Sequence, residues 1–203
     1  LRLVVPLSVT NMANGSLKTI SRQFRNWRNT RRLERERLYY EMRFTSGGLR
    51  IPNDRDISDA MSGRFPHVKR KPKGELNILA IYHHYNWENS SLRPALEKVG
   101  TVRHYDWFAE FNHQREKEWH KHVKAAMNRD LCSRLTQWIK EETPDVIFAY
   151  LTGELVMPET MEKIRSFGLP TVNISLNDKE YFVGKIRRGK VMGMRDICRY
   201  FDL

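Results

Sequence analysis

The chain has 203 residues, with 36 Lys and Arg against 24 Asp and Glu, a formal charge of +12, and a composition that is 40% hydrophobic and 11% aromatic. That is enough apolar material for one substantial core and too much for a low-complexity disordered chain, while a second full domain does not fit. No apolar run approaches the roughly 18 residues that cross a bilayer, and two cysteines, Cys132 and Cys198, outside any CxxC pattern imply neither a disulfide framework nor a zinc site.

The charge is unevenly placed. Residues 1–74 hold 17 Lys and Arg against 6 Asp and Glu, and the remaining residues hold 19 against 18. The basic character therefore belongs to an N-terminal extension, and the field it creates favours polyanions without saying anything about fold. Residues 1–9 are largely apolar but lack a basic n-region followed by a small-residue cleavage site, which argues against a signal peptide, and the two cysteines read as reduced thiols of a cytoplasmic protein.

In chain order, residues 16–44 lack Pro and Gly and read as a helix, with Leu17, Ile20, Phe24 and Trp27 on one face. Arg22, Arg25, Arg28, Arg31, Arg32, Arg35 and Arg37 surround that stripe. Two readings fit: a helix whose stripe packs on the domain behind it, or an amphipathic element lying on an anionic membrane surface. Nucleic acid is the weaker partner, because no helix-turn-helix, zinc-finger or RNP signature accompanies the arginines. Residues 45–74, with scattered Gly and Pro and the basic run 67–73, read as linker.

From residue 75 the pattern alternates. Residues 76–82 (LNILAIY) form a continuous apolar strand, the kind buried on both faces of a parallel sheet. A short helix follows over 91–99, with Ser90 or Ser91 as N-cap and Gly100 as its stop, then a strand over 101–106 (TVRHYD). A long helix over 114–142 is ended by Pro144. A third strand (145–151, DVIFAYL), a helix (158–167) with Pro158 in its first turn and Gly168 after its end, and a fourth strand (170–176, PTVNISL) complete the series. Residues 201–203 read as the start of another strand, so the chain is expected to be cut inside a larger protein. The expected fold is α/β, a Rossmann-like parallel sheet with helices on both faces, preceded by the basic helical extension.

Ligands of such sheets bind where the strands point their carboxyl ends. The loop at 83–90 (HHYNWENS) offers His83, His84 and Glu88 for acid–base work, Asn86 and Asn89 for hydroxyl recognition, and Tyr85 and Trp87 as flat apolar walls. After the third strand, Gly153 either relieves crowding or lets a ligand approach the backbone, and Glu154 either binds hydroxyls or caps the next helix. Asn177 and Asp178 close the fourth strand, as a substrate contact or as a helix cap. No GxGxxG follows the first strand and no GxxxxGK[ST] occurs, which excludes the usual dinucleotide and P-loop sites. His113, His120 and His122 with Glu116 and Glu118 make no convincing metal site: 120 and 122 point to different faces of a helix, and His113 with Glu116 has the helical spacing but supplies only two ligands.

The segments DVIFAYLTG (145–153), PETMEKIRSFG (158–168) and LPTVNISLND (169–178), followed by Phe182, resemble the N-terminal half of GT-B glycosyltransferases, in particular the CgeB-like spore-maturation group and its family 4 relatives. The resemblance covers residues 76–203 and finds no counterpart for 1–74. It implies a domain that shapes the acceptor side of a cleft, while a nucleotide-sugar donor is bound mainly by a second, C-terminal domain. The expected activity of the complete enzyme is then transfer of a sugar to an acceptor hydroxyl on a glycan, a lipid-linked group or a protein, with no metal or cofactor. The general base is drawn from His83, His84, Glu88 and Asp178, and contacts to substrate come from Asn86, Trp87, Asn89, Gly153, Glu154 and Asn177. Where the family carries a second acidic residue in the last turn, this chain has only Asp178. The basic helix would hold such an enzyme at a membrane. The alternative is a non-catalytic doubly wound binding or regulatory domain with a polyanion-binding arm.

Overall fold

The computed structural model describes residues 8–43, 46, 51–111, 118–175, 186–187, 190–191 and 193–203. The chain divides into two compact units, Leu1–Arg55 and Asp56–Leu203.

The first unit is dominated by α1 (Ser8–Arg43). The helix begins eight residues earlier than the sequence pattern marks, because it runs through Gly15. One glycine costs a long helix only about 1 kcal/mol, too little to end it. The stripe residues Ile20, Phe24 and Trp27 are 58, 62 and 54% exposed.

The stretch read as linker contains a helix, α2 (Asp54–Arg64). Its start is capped, since the Asn53 side-chain oxygen accepts from the amide of Arg55 at 3.0 Å. Past its end Phe65 is buried, and Arg64 forms an ion pair with Asp202.

The second unit is built on β1 (Leu76–Ile81), β2 (Gly100–Tyr105), β3 (Val146–Ala149) and β4 (Thr171–Asn173), all parallel in the order β2-β1-β3-β4. The helices are α3 (Arg93–Glu97), α4 (Lys124–Glu141) and α5 (Pro158–Arg165). Wide turns with i to i+5 hydrogen bonding precede two of them, Glu88–Leu92 before α3 and Trp119–Val123 before α4. The predicted N-cap at Ser90 or Ser91 is absent for this reason: the turn opens at Trp87, and Ser90 donates its hydroxyl to the Trp87 carbonyl at 3.3 Å.

Alternation along the strands sorts the two faces. Leu79, Ile81, Ile147 and Ala149 pack with Met127, Leu131 and Leu135 of α4 and Met161 and Ile164 of α5. Ile78, Ala80 and Tyr82 point the other way, against Leu92 and Leu96. Helices therefore cover both faces, which is why β1 has no polar face to alternate with. Burying each of these Leu, Ile or Met side chains contributes roughly 1.5–3 kcal/mol.

Two glycines carry specific loads. Gly168 has a φ of +69°, the left-handed geometry that ends α5. At Gly100, a β-carbon would lie 2.0 Å from the Leu76 carbonyl oxygen, so only glycine lets β2 start beside β1. Residues 201–203 do not form a strand, yet they hydrogen-bond to β4: Asp202 donates its amide to the Thr171 carbonyl at 2.7 Å, and Asn173 donates to that of Leu203 at 2.8 Å. A short antiparallel hairpin, β5 (Ile186–Arg187) and β6 (Lys190–Val191), has no counterpart in the sequence pattern.

Candidate functional site

The chain leaves β1 toward β2 on one side and returns to β3 on the other, so the loops after β1 and β3 diverge at the carboxyl edge of the sheet, where doubly wound sheets bind their ligands. Trp87, from the first loop, and Tyr150, just past β3, bring their ring centres within 6.0 Å, and both belong to the apolar layer on the α3 side.

The loop after β1 is shaped from within by Glu88. This carboxylate is 3% exposed, and one of its oxygens accepts from the amides of Tyr85 at 2.9 Å and Asn86 at 2.6 Å. Burial alone would raise the pKa of Glu88, but the amides of Asn86, Tyr85 and Glu88 itself, with the nearby His83, hold it below the ordinary carboxylate value. A carboxylate held this way stays ionised and braces the loop; it is poorly suited to accept a proton near neutral pH.

The strongest chemical arrangement joins two strands. His84 Nδ1 is hydrogen-bonded to one Asp106 carboxylate oxygen. The other oxygen accepts from the amide of Phe108 at 2.9 Å and, more weakly, from that of His84 at 3.4 Å. The imidazole also lies against the Phe108 ring, with centres 4.8 Å apart. Because a carboxylate only accepts, it selects the tautomer with the proton on Nδ1 and leaves the Nε2 lone pair as the basic position. The His84 side chain is 41% exposed. This is the orienting logic of a carboxylate–histidine pair, in which the imidazole takes a proton and the carboxylate stabilises the cation that results.

His83 has a different place. It is buried against Trp107 at 5.2 Å and Tyr85 at 6.2 Å between ring centres. Burial lowers its pKa, against the opposing pull of Glu88 and Asp106, so the ring is neutral at physiological pH. Beneath it on the other face, His104 donates from Nε2 to the Tyr82 carbonyl at 2.7 Å and stacks on the Tyr82 ring at 3.8 Å. Burial lowers the pKa of His104 as well.

The loop after β3 is pinned to α4 and the turn before it. Lys124 Nζ donates to the Gly153 carbonyl at 2.6 Å, the Trp119 indole to the Glu154 carbonyl at 3.1 Å, and the Gly153 amide to the Gly193 carbonyl at 3.0 Å. Asn128, 3% exposed, donates to the Leu155 carbonyl at 2.9 Å and accepts from the Met157 amide at 2.9 Å. Gly153 thus has both of its backbone polar groups hydrogen-bonded within the protein. The Glu154 carboxylate lies 3.4 Å from His120 Nε2, and α5 begins after Met157 without any side-chain cap, so Glu154 is not a helix cap.

The structure therefore gathers His83, His84, Trp87 and Glu88 at the first loop and gives each different surroundings: His84 pairs with Asp106, His83 is buried, Trp87 lies near Tyr150, and Glu88 accepts from the loop amides. Asn86 and Asn89 are exposed beside them. Asn177 and Asp178 lie outside the described residues, as do His113 and Glu116. The residue that sequence reasoning missed is Asp106. It stood last in the second predicted strand, and the pairing of Ile81 with Tyr105 is what brings it beside the His84 backbone. Two grooves among the described residues lie elsewhere, one along the outer surface of α4 by Cys132 and Lys140, the other at the opposite sheet edge by Asn77 and Trp138. Comparison with family models, with curated proteins and with solved structures finds no match.

Proposed function

We propose that the second unit is the acceptor-binding half of a sugar transferase, in which His84, oriented by Asp106, removes the proton from an acceptor hydroxyl as the new glycosidic bond forms. The observation that carries this reading is the His84–Asp106 pair at the carboxyl edge of a doubly wound parallel sheet. Tyr85, 59% exposed, and Trp87 supply the flat apolar surfaces on which a sugar ring stacks. Asn86 and Asn89 supply amide groups for its hydroxyls. On this reading Glu88 and His83 fix the loop instead of reacting, and the nucleotide-sugar donor is held chiefly by a second domain.

The test is nuclear magnetic resonance of the chain against a panel of methyl glycosides of glucose, galactose, mannose and N-acetylglucosamine. The expected result is that at least one glycoside shifts the signals of residues 84–87 and 106–108, and that Tyr85→Ala weakens the effect while His84→Gln preserves it. In an enzyme that carries the donor domain, His84→Gln and Asp106→Asn lower transfer by about 10²–10⁴-fold, the range of a general base. If no glycoside perturbs this edge at millimolar concentration, the sugar reading fails.

A further inference from the structure

The first unit presents a surface that sugar transfer does not use. At 100° per residue, Ile20, Phe24 and Trp27 fall within about 60° of one another on α1, and all three are more than half exposed. The Phe24 and Trp27 rings stack at 5.7 Å, and the Arg31 guanidinium lies 5.5 Å from the Trp27 ring centre. Arg25, Arg28 and Arg32 run along one flank of this stripe, exposed. Arg22, Arg25, Arg28 and Arg32 have no carboxylate partner among the described residues.

Charge divides the helix into two halves. From position 8 to 33 there are six Lys and Arg and no Asp or Glu, and the first turn has no acidic residue to offset the positive end of the helix dipole. From 34 to 43 three basic residues face three acidic ones, and Arg37 pairs with both Glu34 and Glu41. The aromatic stripe and the uncompensated arginines therefore coincide in the first half alone.

We propose that this half of α1 is a docking surface for anionic lipid bilayers, lying in the plane of the interface with Ile20, Phe24 and Trp27 toward the acyl chains and Arg25, Arg28 and Arg32 among the headgroups. Charge complementarity selects this occupant. A second copy of the helix is a poor fit, because the same stripe continues into Arg31 and Glu34, and a paired seam would bury both charges. Insertion across the membrane does not arise, since among the described residues no helix is long and apolar enough to cross one. Arginine above and aromatic below is instead the composition of a helix that lies on the surface.

The experiment is co-sedimentation of the full chain with vesicles of phosphatidylcholine alone and of phosphatidylcholine with phosphatidylserine, with single-stranded RNA as the competing polyanion and sedimentation velocity in lipid-free buffer. Tight binding is expected only to the anionic vesicles. Each basic residue at such a surface is worth about fivefold, so replacing Arg25, Arg28 and Arg32 together by Gln weakens binding by about 100-fold. Phe24→Ser with Trp27→Ser removes vesicle binding while every arginine is retained, and circular dichroism of the variant confirms that its helix content is kept. Equal binding to neutral vesicles, vesicle binding that survives the double Ser variant, or RNA binding tighter than vesicle binding overturns the proposal. A lipid-free dimer that the double Ser variant dissolves overturns it too.

Discussion

Replacing Asn128 by Ala tests how the loop after β3 is held. The side chain is almost wholly buried and links three backbone groups: it donates to the carbonyls of Lys124 and Leu155 and accepts from the amide of Met157. The Lys124 carbonyl lies one turn back in the same helix and keeps its ordinary helical environment. The Leu155 carbonyl and the Met157 amide lose their partner, and each buried polar group left unmatched costs about 1–3 kcal/mol. The expected loss is therefore about 2–6 kcal/mol, a large part of the 5–15 kcal/mol that separates folded from unfolded domains. Asn128→Asp is at least as damaging near neutral pH, because it keeps the acceptor for Met157 but sets an oxygen where the two carbonyls need a donor. Urea unfolding followed by circular dichroism measures the loss, and hydrogen exchange at the Met157 amide localises it. A loss below about 1 kcal/mol, or unchanged exchange at Met157, refutes the argument that one amide clamps this loop.

Further outcomes follow from the same geometry. Gly100→Ala places a β-carbon against the backbone of Leu76, where no flexible side chain can yield; the cost expected is about 3 kcal/mol, the upper end for overpacking, with faster exchange where β2 begins, and a fully stable variant would remove the close approach from the account. Acid should destabilise the protein earlier than carboxylates alone predict. His83 and His104 are held below the ordinary imidazole pKa of about 6.5 by burial, so below that pH the unfolded chain binds protons that the folded one refuses, and stability falls. Glu88, held low, acts in the same direction at lower pH, where its contribution is lost as the carboxyl is protonated. The urea midpoint should drop between about pH 7.5 and about pH 5.5, and by less in His104→Gln; a midpoint that is flat or rises contradicts the burial argument.

The sheet was legible because parallel strands covered on both faces leave continuous apolar runs, and residues 76–82, 145–151 and 170–176 are such runs. The structure trims them to β1, β3 and β4, since ladder pairing stops before the apolar composition does. α4 and α5 were readable from periodicity and from Pro144, Pro158 and Gly168. α2 was not: DRDISDAMSGR is mostly polar, and its one clear signal, Asn53 as a cap, is hidden among Gly and Pro. The cluster of polar residues after β1 was legible in the sequence; what each side chain touches was not. His84 and Glu88 look alike as acid–base candidates in one dimension. What separates them is whether a carboxylate meets backbone amides two and three residues away, as for Glu88, or a side chain from the neighbouring strand, as for Asp106 with His84. Asn128 carried a faint signal, a polar residue inside the apolar rows of α4, whose meaning depended on a loop distant in sequence.

The hydrogen bonds from residues 201–203 to β4 bear on how copies of the protein behave in a crowd. An uncovered outer strand is a template on which another chain can add itself, and that is a common route to aggregation. Here the β4 margin is already occupied by the chain's own residues, tied down further by Arg64 on Asp202. The opposite margin, β2, carries exposed Thr101 and the Arg103 guanidinium, which is held by Glu141. One margin is covered by residues 201–203 and the other is guarded by charge, and because Phe201 also packs on the core, the segment that covers β4 is anchored by the core itself.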